Sequence, residues 1–183
     1  MHKVAVIVGS LRKASINKKL AGALAKLAEG KLEFRMIRID DLPLYNADDD
    51  AKPSDAVHRF KSEVEACDAV LFVTPEHNRS IPAALKNAFD WGTRPPGKDS
   101  WRGRPAAVLG TSPGNLGTAI AQQHMRTIAS GHASALMGTP LVFLKNTEGL
   151  IDADGTVTNE KTRAFLQGFV DQFAAFVGHM KGA

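Results

Sequence analysis

The chain has 183 residues, 44% of them hydrophobic and 23% charged, with a net charge of +4 at pH 7. That balance fits one soluble globular domain spanning 1–183, long enough for a real core. No apolar run could span a membrane, no secretory leader is visible, the only cysteine is Cys67, and the charge is too modest to indicate nucleic acid; a cytoplasmic protein without a membrane partner is expected.

An apolar run from Val4 to Val8 reads as a strand covered on both faces. The turn Gly9-Ser10-Leu11-Arg12-Lys13-Ala14-Ser15-Ile16-Asn17 follows, and Ile16, Leu20, Leu24 and Leu27 then recur at helical spacing until about Gly30. A strand-to-helix turn carrying hydroxyl, amide and guanidinium groups has the chemistry of an anion site. Helix N-terminal N–H groups lack partners, and Ser10, Ser15, Asn17 and Arg12 add donors. An ordinary turn with Ser15 as N-cap is the plainer reading.

Leu32 to Ile39 reads as the second strand, followed by an acidic loop from Asp40 to Pro53. Asp48, Asp49 and Asp50 read as a solvated turn rather than a metal site, since no ligand spacing accompanies them. A helix from Ser54 to about Ala66 leads to a third strand, Ala69 to Val73, with Cys67 as a packed thiol. Thr74 to Pro82 is a polar loop before a helix bearing Leu85, Ala88, Phe89 and Trp91. The stretch from Arg94 to Arg104 reads as a basic, solvated loop, with Arg94, Lys98 and Arg102, together with Arg79, as candidates for a nucleotide phosphate. Ala106 to Leu109 is the fourth strand, Gly110 to Gly117 a Gly-rich loop, and a helix runs on to about Ser130. Leu141 to Leu144 is the fifth strand, and Asp152 to Gly155 an Asp-Gly turn. The last helix, from about Thr158, presents Phe165, Phe169, Phe173 and Phe176 as a core stripe. His58, His124 and His132 read as surface or interface residues, with no metal assigned.

Strands alternating with helices predict an open parallel sheet covered on both faces, with ligands bound beyond the carboxyl ends of the strands. The loops 10–17, 75–82 and 111–117 all lie at those ends. A Walker-type loop and a G-x-G-x-x-G dinucleotide fingerprint are both absent. Gly110-Thr111-Ser112-Pro113-Gly114 matches the serine-hydrolase elbow, with Asp152 or Asp171 and then His179 in order, but Pro113 has no N–H for an oxyanion hole. A hydrolase at Ser112 is therefore an outside alternative. A mononucleotide site fits better: phosphate at the first loop, a flat ring between the other two, with Pro75, His77 and Ile81 offering flat or apolar surface. The flavin then does the chemistry and no catalytic side chain is assigned.

Three motifs in order, Gly9 to Asn17, Pro75-Glu76-His77-Asn78-Arg79-Ser80-Ile81-Pro82 and Lys86-Asn87-Ala88-Phe89-Asp90-Trp91, resemble the NADPH-dependent FMN reductase family, in its bacterial quinone and chromate reductase branch. The resemblance runs over nearly the whole chain. It implies a flavodoxin-like three-layer α/β sandwich with a five-stranded parallel sheet, order 2-1-3-4-5, bound FMN, NADPH or NADH as co-substrate, and homodimers pairing into homotetramers. Carried over by position, Ser10, Arg12, Ser15, Asn17 and the Ile16 amide would hold the FMN phosphate. Pro75, Glu76, His77, Asn78 and Ser80 would line the isoalloxazine, with Ser112 and Gly114 on the looser third loop. His77 stands where many members have Tyr. The expected activity is an NAD(P)H:acceptor oxidoreductase working by ping-pong hydride transfer through FMN to a quinone, a flavin or an oxidising anion such as chromate. A flavodoxin-like electron carrier without turnover is the alternative, which the positive charge disfavours.

Overall fold

The computed structural model describes residues 1–182. Three long parallel strands form its centre: β1 (His2–Val8), β3 (Ala69–Val73) and β4 (Pro105–Ser112), with β2 (Leu32–Ile37) on the outer side of β1. Their side chains alternate between two cores. Val4 and Val6 of β1, with Ala69, Leu71 and Val73 of β3, face α1 (Ile16–Leu27) and α5 (Glu160–Met180). Ala5, Ile7, Val70 and Phe72 face α2 (Asp55–Glu65), α3 (Ala83–Gly92) and α4 (Ala119–Ala129). A strand buried on both faces must be apolar throughout, which is why these three read as continuous runs.

The strand order is 2-1-3-4-5, as the flavodoxin-like expectation required. The fifth position is split. The short β5 (Ala135–Leu136) pairs with Pro105 and Ala106 at the start of β4, and β6 (Phe143–Lys145) pairs with Gly110, Thr111 and Ser112 at its end. Between them the chain leaves the sheet, and α4 supplies the missing partners. Arg126 donates to Met137 O at 2.8 Å and Val108 O at 3.3 Å, and Gln122 Nε2 donates to Val142 O at 2.8 Å. Burial without a carboxylate pushes the Arg126 guanidinium pKa down.

Two expectations need correction. The Phe stripe of α5 is core only in part: Phe169 and Phe173 are fully buried, whereas Phe165 is 43% exposed. Nor is the stretch from Arg94 to Arg104 merely a solvated loop. Trp101 is buried, stacks on Phe89 with ring centroids 5.3 Å apart, and donates Nε1–H to Phe89 O at 3.0 Å. Arg104 donates to the carbonyls of Val64, Glu65, Cys67, Ser100 and Arg102. Arg104, one of the loop's four cations, is thus internal scaffolding. Among the described residues, no helix is long and apolar enough to cross a membrane.

Candidate active site

Because β1, β3 and β4 are parallel, their following loops meet at one edge of the sheet. Together they line a cavity of about 350 Å³. The cavity draws residues from each of the three polar loops and one, Asn146, from outside them.

The first wall is the turn after β1. A Cβ on Gly9 would sit 2.9 Å from Pro82 Cγ and 3.1 Å from Leu85 Cβ, so only glycine lets this turn lie against the start of α3. Ser10 and Ser15 are buried in the cavity wall. Ser15 is the N-cap of α1, its Oγ accepting from Lys18 N–H at 3.2 Å. The Ile16 and Asn17 N–H groups of the first turn have no intrahelical acceptor, and both residues line the cavity. No acidic residue lies in that first turn. Arg12 is exposed at the cavity and forms no ion pair among the described residues. A set of unopposed donors at a helix N-terminus fits a phosphate monoester.

Asn17 carries a structural role that was not expected. Its side chain is buried and spent on Thr111: Nδ2 donates to Thr111 O at 2.9 Å, and Oδ1 accepts from Thr111 N–H at 3.0 Å. The amide ties the first loop to the third with its oxygen and one of its two N–H donors, leaving the second Nδ2–H and the backbone N–H for an anion.

The second wall follows β3. His77 and Ser80 exchange backbone hydrogen bonds of 2.9 Å in both directions, closing a tight hairpin over Asn78 (φ +49°) and Arg79 (φ +62°). Pro75 and His77 line the cavity. Ser80 does not: its Oγ lies 3.0 Å from His124 Nδ1, in a neighbouring groove of about 500 Å³ with Ile81, Lys86 and Ile128. Asn78 is exposed at the hairpin tip, also outside the lining.

Glu76 lines the cavity, but its carboxylate is committed elsewhere. Oε2 accepts from both Ile120 N–H and Ala121 N–H at 3.1 Å. The N-cap residue of α4, Thr118, has φ +69° and makes no side-chain cap. Glu76 therefore caps α4 from 44 residues away, placing its charge at the positive end of the helix dipole.

The third wall follows β4. A Cβ on Gly110 would fall 2.0 Å from Thr74 O, so the exits of β3 and β4 can touch only through this glycine. Ser112 lines the cavity and donates its Oγ–H to Gly114 O at 3.3 Å, while Gly114 itself is outside the lining. The hydrolase alternative finds no triad here. Asp171 is bound to Lys31 and Gln167, contacts that hold its carboxyl below the usual range. Asp152 accepts from Thr156 N–H within its own turn, and His179 sits in the last turn of α5.

Ala14, Thr111 and Pro113 also line the cavity, within the loops 10–17 and 111–117 but not singled out there, whereas Asn146 lies outside all three loops and was not anticipated. Asn146 follows β6, and its N–H donates to Ser112 O at 2.8 Å. Its position just past a strand's carboxyl end was a signal, obscured because the strand itself was placed too early. The Lys86-to-Trp91 motif proves to be support: Asn87 accepts from Tyr45 N–H and donates to Pro43 O, and Trp91 donates to the same carbonyl.

A family model described as NADPH-dependent FMN reductase matches residues 2–149. A 2-hydroxy-1,4-benzoquinone reductase from Burkholderia sp is 47% identical over 175 residues, covering 96% of each chain. A quinone reductase from Pseudomonas putida is 47% identical over 178 residues, covering 97% of this chain and 95% of the relative. Among solved structures, FerB, a flavoenzyme NAD(P)H:(acceptor) oxidoreductase from Paracoccus denitrificans, superposes with a TM-score of 0.95 at 49% identity, over 98% of this chain and 99% of that one.

Proposed function

The chain belongs to the NADPH-dependent FMN reductase family, and from that premise we propose that it is a cytoplasmic NAD(P)H:quinone oxidoreductase. The observation that carries this reading is the single cavity walled by the three loops, with unopposed donors on one side and flat surface on the other. FMN, when bound, would supply the redox chemistry by a ping-pong exchange: NAD(P)H would give up a hydride and leave as NAD(P)+, and the two electrons, with the hydride's proton and one from solvent, would reduce a quinone to its hydroquinone, whereas an oxidising anion such as chromate, which takes three electrons to Cr(III), would draw on more than one turnover.

The chain's own residues bind and orient. Ser10, Ser15, Arg12 and the Ile16 and Asn17 N–H groups hold the phosphate end. Pro75, the backbone from Glu76 to Asn78 and the His77 ring receive the isoalloxazine, with Ser112 at its far side. Backbone amides held by the His77–Ser80 hairpin need no reorganisation when charge develops beside them, which is the main electrostatic contribution such a site can make. Holding two flat reactants face to face supplies the rest through proximity. No side chain is assigned a proton-transfer role. Exposed Leu141, Phe143 and Phe165 are consistent with homodimers or homotetramers.

The test is the visible spectrum of the FMN-loaded protein under anaerobic conditions. Addition of NADPH bleaches the flavin band and a benzoquinone restores it. A band that persists with both nicotinamides, or a protein that retains no flavin, refutes the proposal.

A further inference from the structure

The four cations that sequence offers to a nucleotide phosphate do not survive equally. Arg94 is bound to Asp50 and lies 5.6 Å over the Tyr45 ring. Arg102 is 3.7 Å from Asp99, and with Lys98 it lines a separate groove against α2. None of the three lines the active cavity or pairs with a residue that does. Arg79 is also outside the lining, but it alone of the four contacts a residue within it. It stands on the hairpin two residues beyond His77, with Nη1 3.8 Å from Oε1 of Glu76, a cavity-lining residue. Its side chain is 70% exposed, against 12% for Glu76.

Two features make Arg79 a binding group rather than a structural one. Both N–H groups from α4 go to Oε2 of Glu76, which anchors the carboxylate without Arg79, and the 3.8 Å separation from Oε1 is too long for Arg79 to make a hydrogen bond there. The guanidinium end of the pair is exposed and not hydrogen-bonded, so it can exchange that contact for another anion. The backbone at Arg79 is also left-handed, a conformation that favours glycine, yet the position carries the longest cationic side chain. Strain kept at an exposed tip beside a cavity points to use of the side chain. With Arg12 at the opposite wall engaged by the FMN phosphate, Arg79 is the cation left for a second phosphorylated ligand.

We infer that Arg79 recognises a phosphate group of the nicotinamide co-substrate, an inference that rests on the reductase reading above. The group is either the 2′-phosphate, present only in NADPH, or the pyrophosphate common to both nicotinamides. The test uses two non-redox probes, 2′-phospho-ADP-ribose and ADP-ribose, titrated calorimetrically into FMN-loaded wild type, Arg79→Ala and Arg79→Lys. FMN affinity is measured separately by flavin fluorescence. Arg79→Ala weakens probe binding about tenfold, the size of one lost charge-assisted hydrogen bond. Arg79→Lys recovers part of the loss, FMN affinity does not change, and the KM for NADPH rises in parallel. A loss confined to 2′-phospho-ADP-ribose assigns the 2′-phosphate, and an equal loss for both probes assigns the pyrophosphate. Unchanged binding of both probes in an Arg79→Ala protein that holds FMN normally overturns the inference alone. A wild type that retains no FMN overturns it together with the reductase reading.

Discussion

Asn17 bonds both the N–H and the C=O of one residue 94 positions away through its side-chain amide. Both Thr111 groups it satisfies are buried, and a buried peptide group stripped of its partner costs about 1–3 kcal/mol. Asn17→Ala should therefore destabilise the protein by about 2–3 kcal/mol, read as a lower urea midpoint. Asn17→Asp keeps an acceptor for the Thr111 N–H but sets a carboxylate against the Thr111 carbonyl, so it should not rescue. If Asn17→Ala unfolds at the wild-type midpoint, the strut role is wrong. The chemistry of this residue was legible in the sequence, since a polar amide in the turn was expected to hydrogen-bond. Its partner was not, because nothing local tells an amide facing a ligand from one facing another loop. Glu76 is a parallel case: it was expected to line the ring site and it does line the cavity, but the partners of its carboxylate, Ile120 and Ala121, lie beyond the next strand, where no local signal points to them.

At the scale of elements, ends set by local chemistry were read well and those set by distant partners were not. Ser15 and Ser54 stand at the N-caps of α1 and α2, and β3 covers the residues its apolar run marks. The N-terminus of α4 has no local cap signal because its cap comes from Glu76. The β5 strand is two residues long, too short to carry any period. The Arg94-to-Arg104 stretch looked solvated because its composition is basic, yet one aromatic decides its fate. Trp101 is wedged against Gly92, where a Cβ would come within 2.2 Å of its ring. It also packs against Phe60, Phe72 and Phe89. Truncating a buried aromatic to alanine costs about 3–5 kcal/mol. Trp101→Ala should fall in that range, and Trp101→Phe, which keeps much of the packing and loses the bond to Phe89 O, should lose less. Equal losses for the two variants would show that the hydrogen bond, not the packing, anchors the loop.

Across the whole molecule, the cavity depends on every central strand at once. Its walls hang from β1, β3 and β4, which are held together by parallel pairing, by Asn17 across the first and third loops, and by Glu76 across the second and the start of α4. Opening any of these ladders separates the walls, so a ligand that touches all three binds only the intact sheet. Such a ligand stabilises the fold by RT ln(1 + [L]/Kd), about 4 kcal/mol at a thousandfold excess over Kd. FMN should therefore raise the melting temperature of the apoprotein, and the rise should grow with FMN concentration well past stoichiometry. Riboflavin, which has the ring without the phosphate, separates the contributions of the walls. If the turn after β1 holds the phosphate, riboflavin should stabilise far less than FMN at equal concentration. Arg12→Ala should then shrink the FMN shift toward the riboflavin value while leaving the riboflavin shift and the ligand-free melting temperature as they were, since Arg12 is exposed and makes no ion pair among the described residues. Equal shifts from FMN and riboflavin in the wild type would remove the phosphate from that turn and leave its unopposed donors without a ligand.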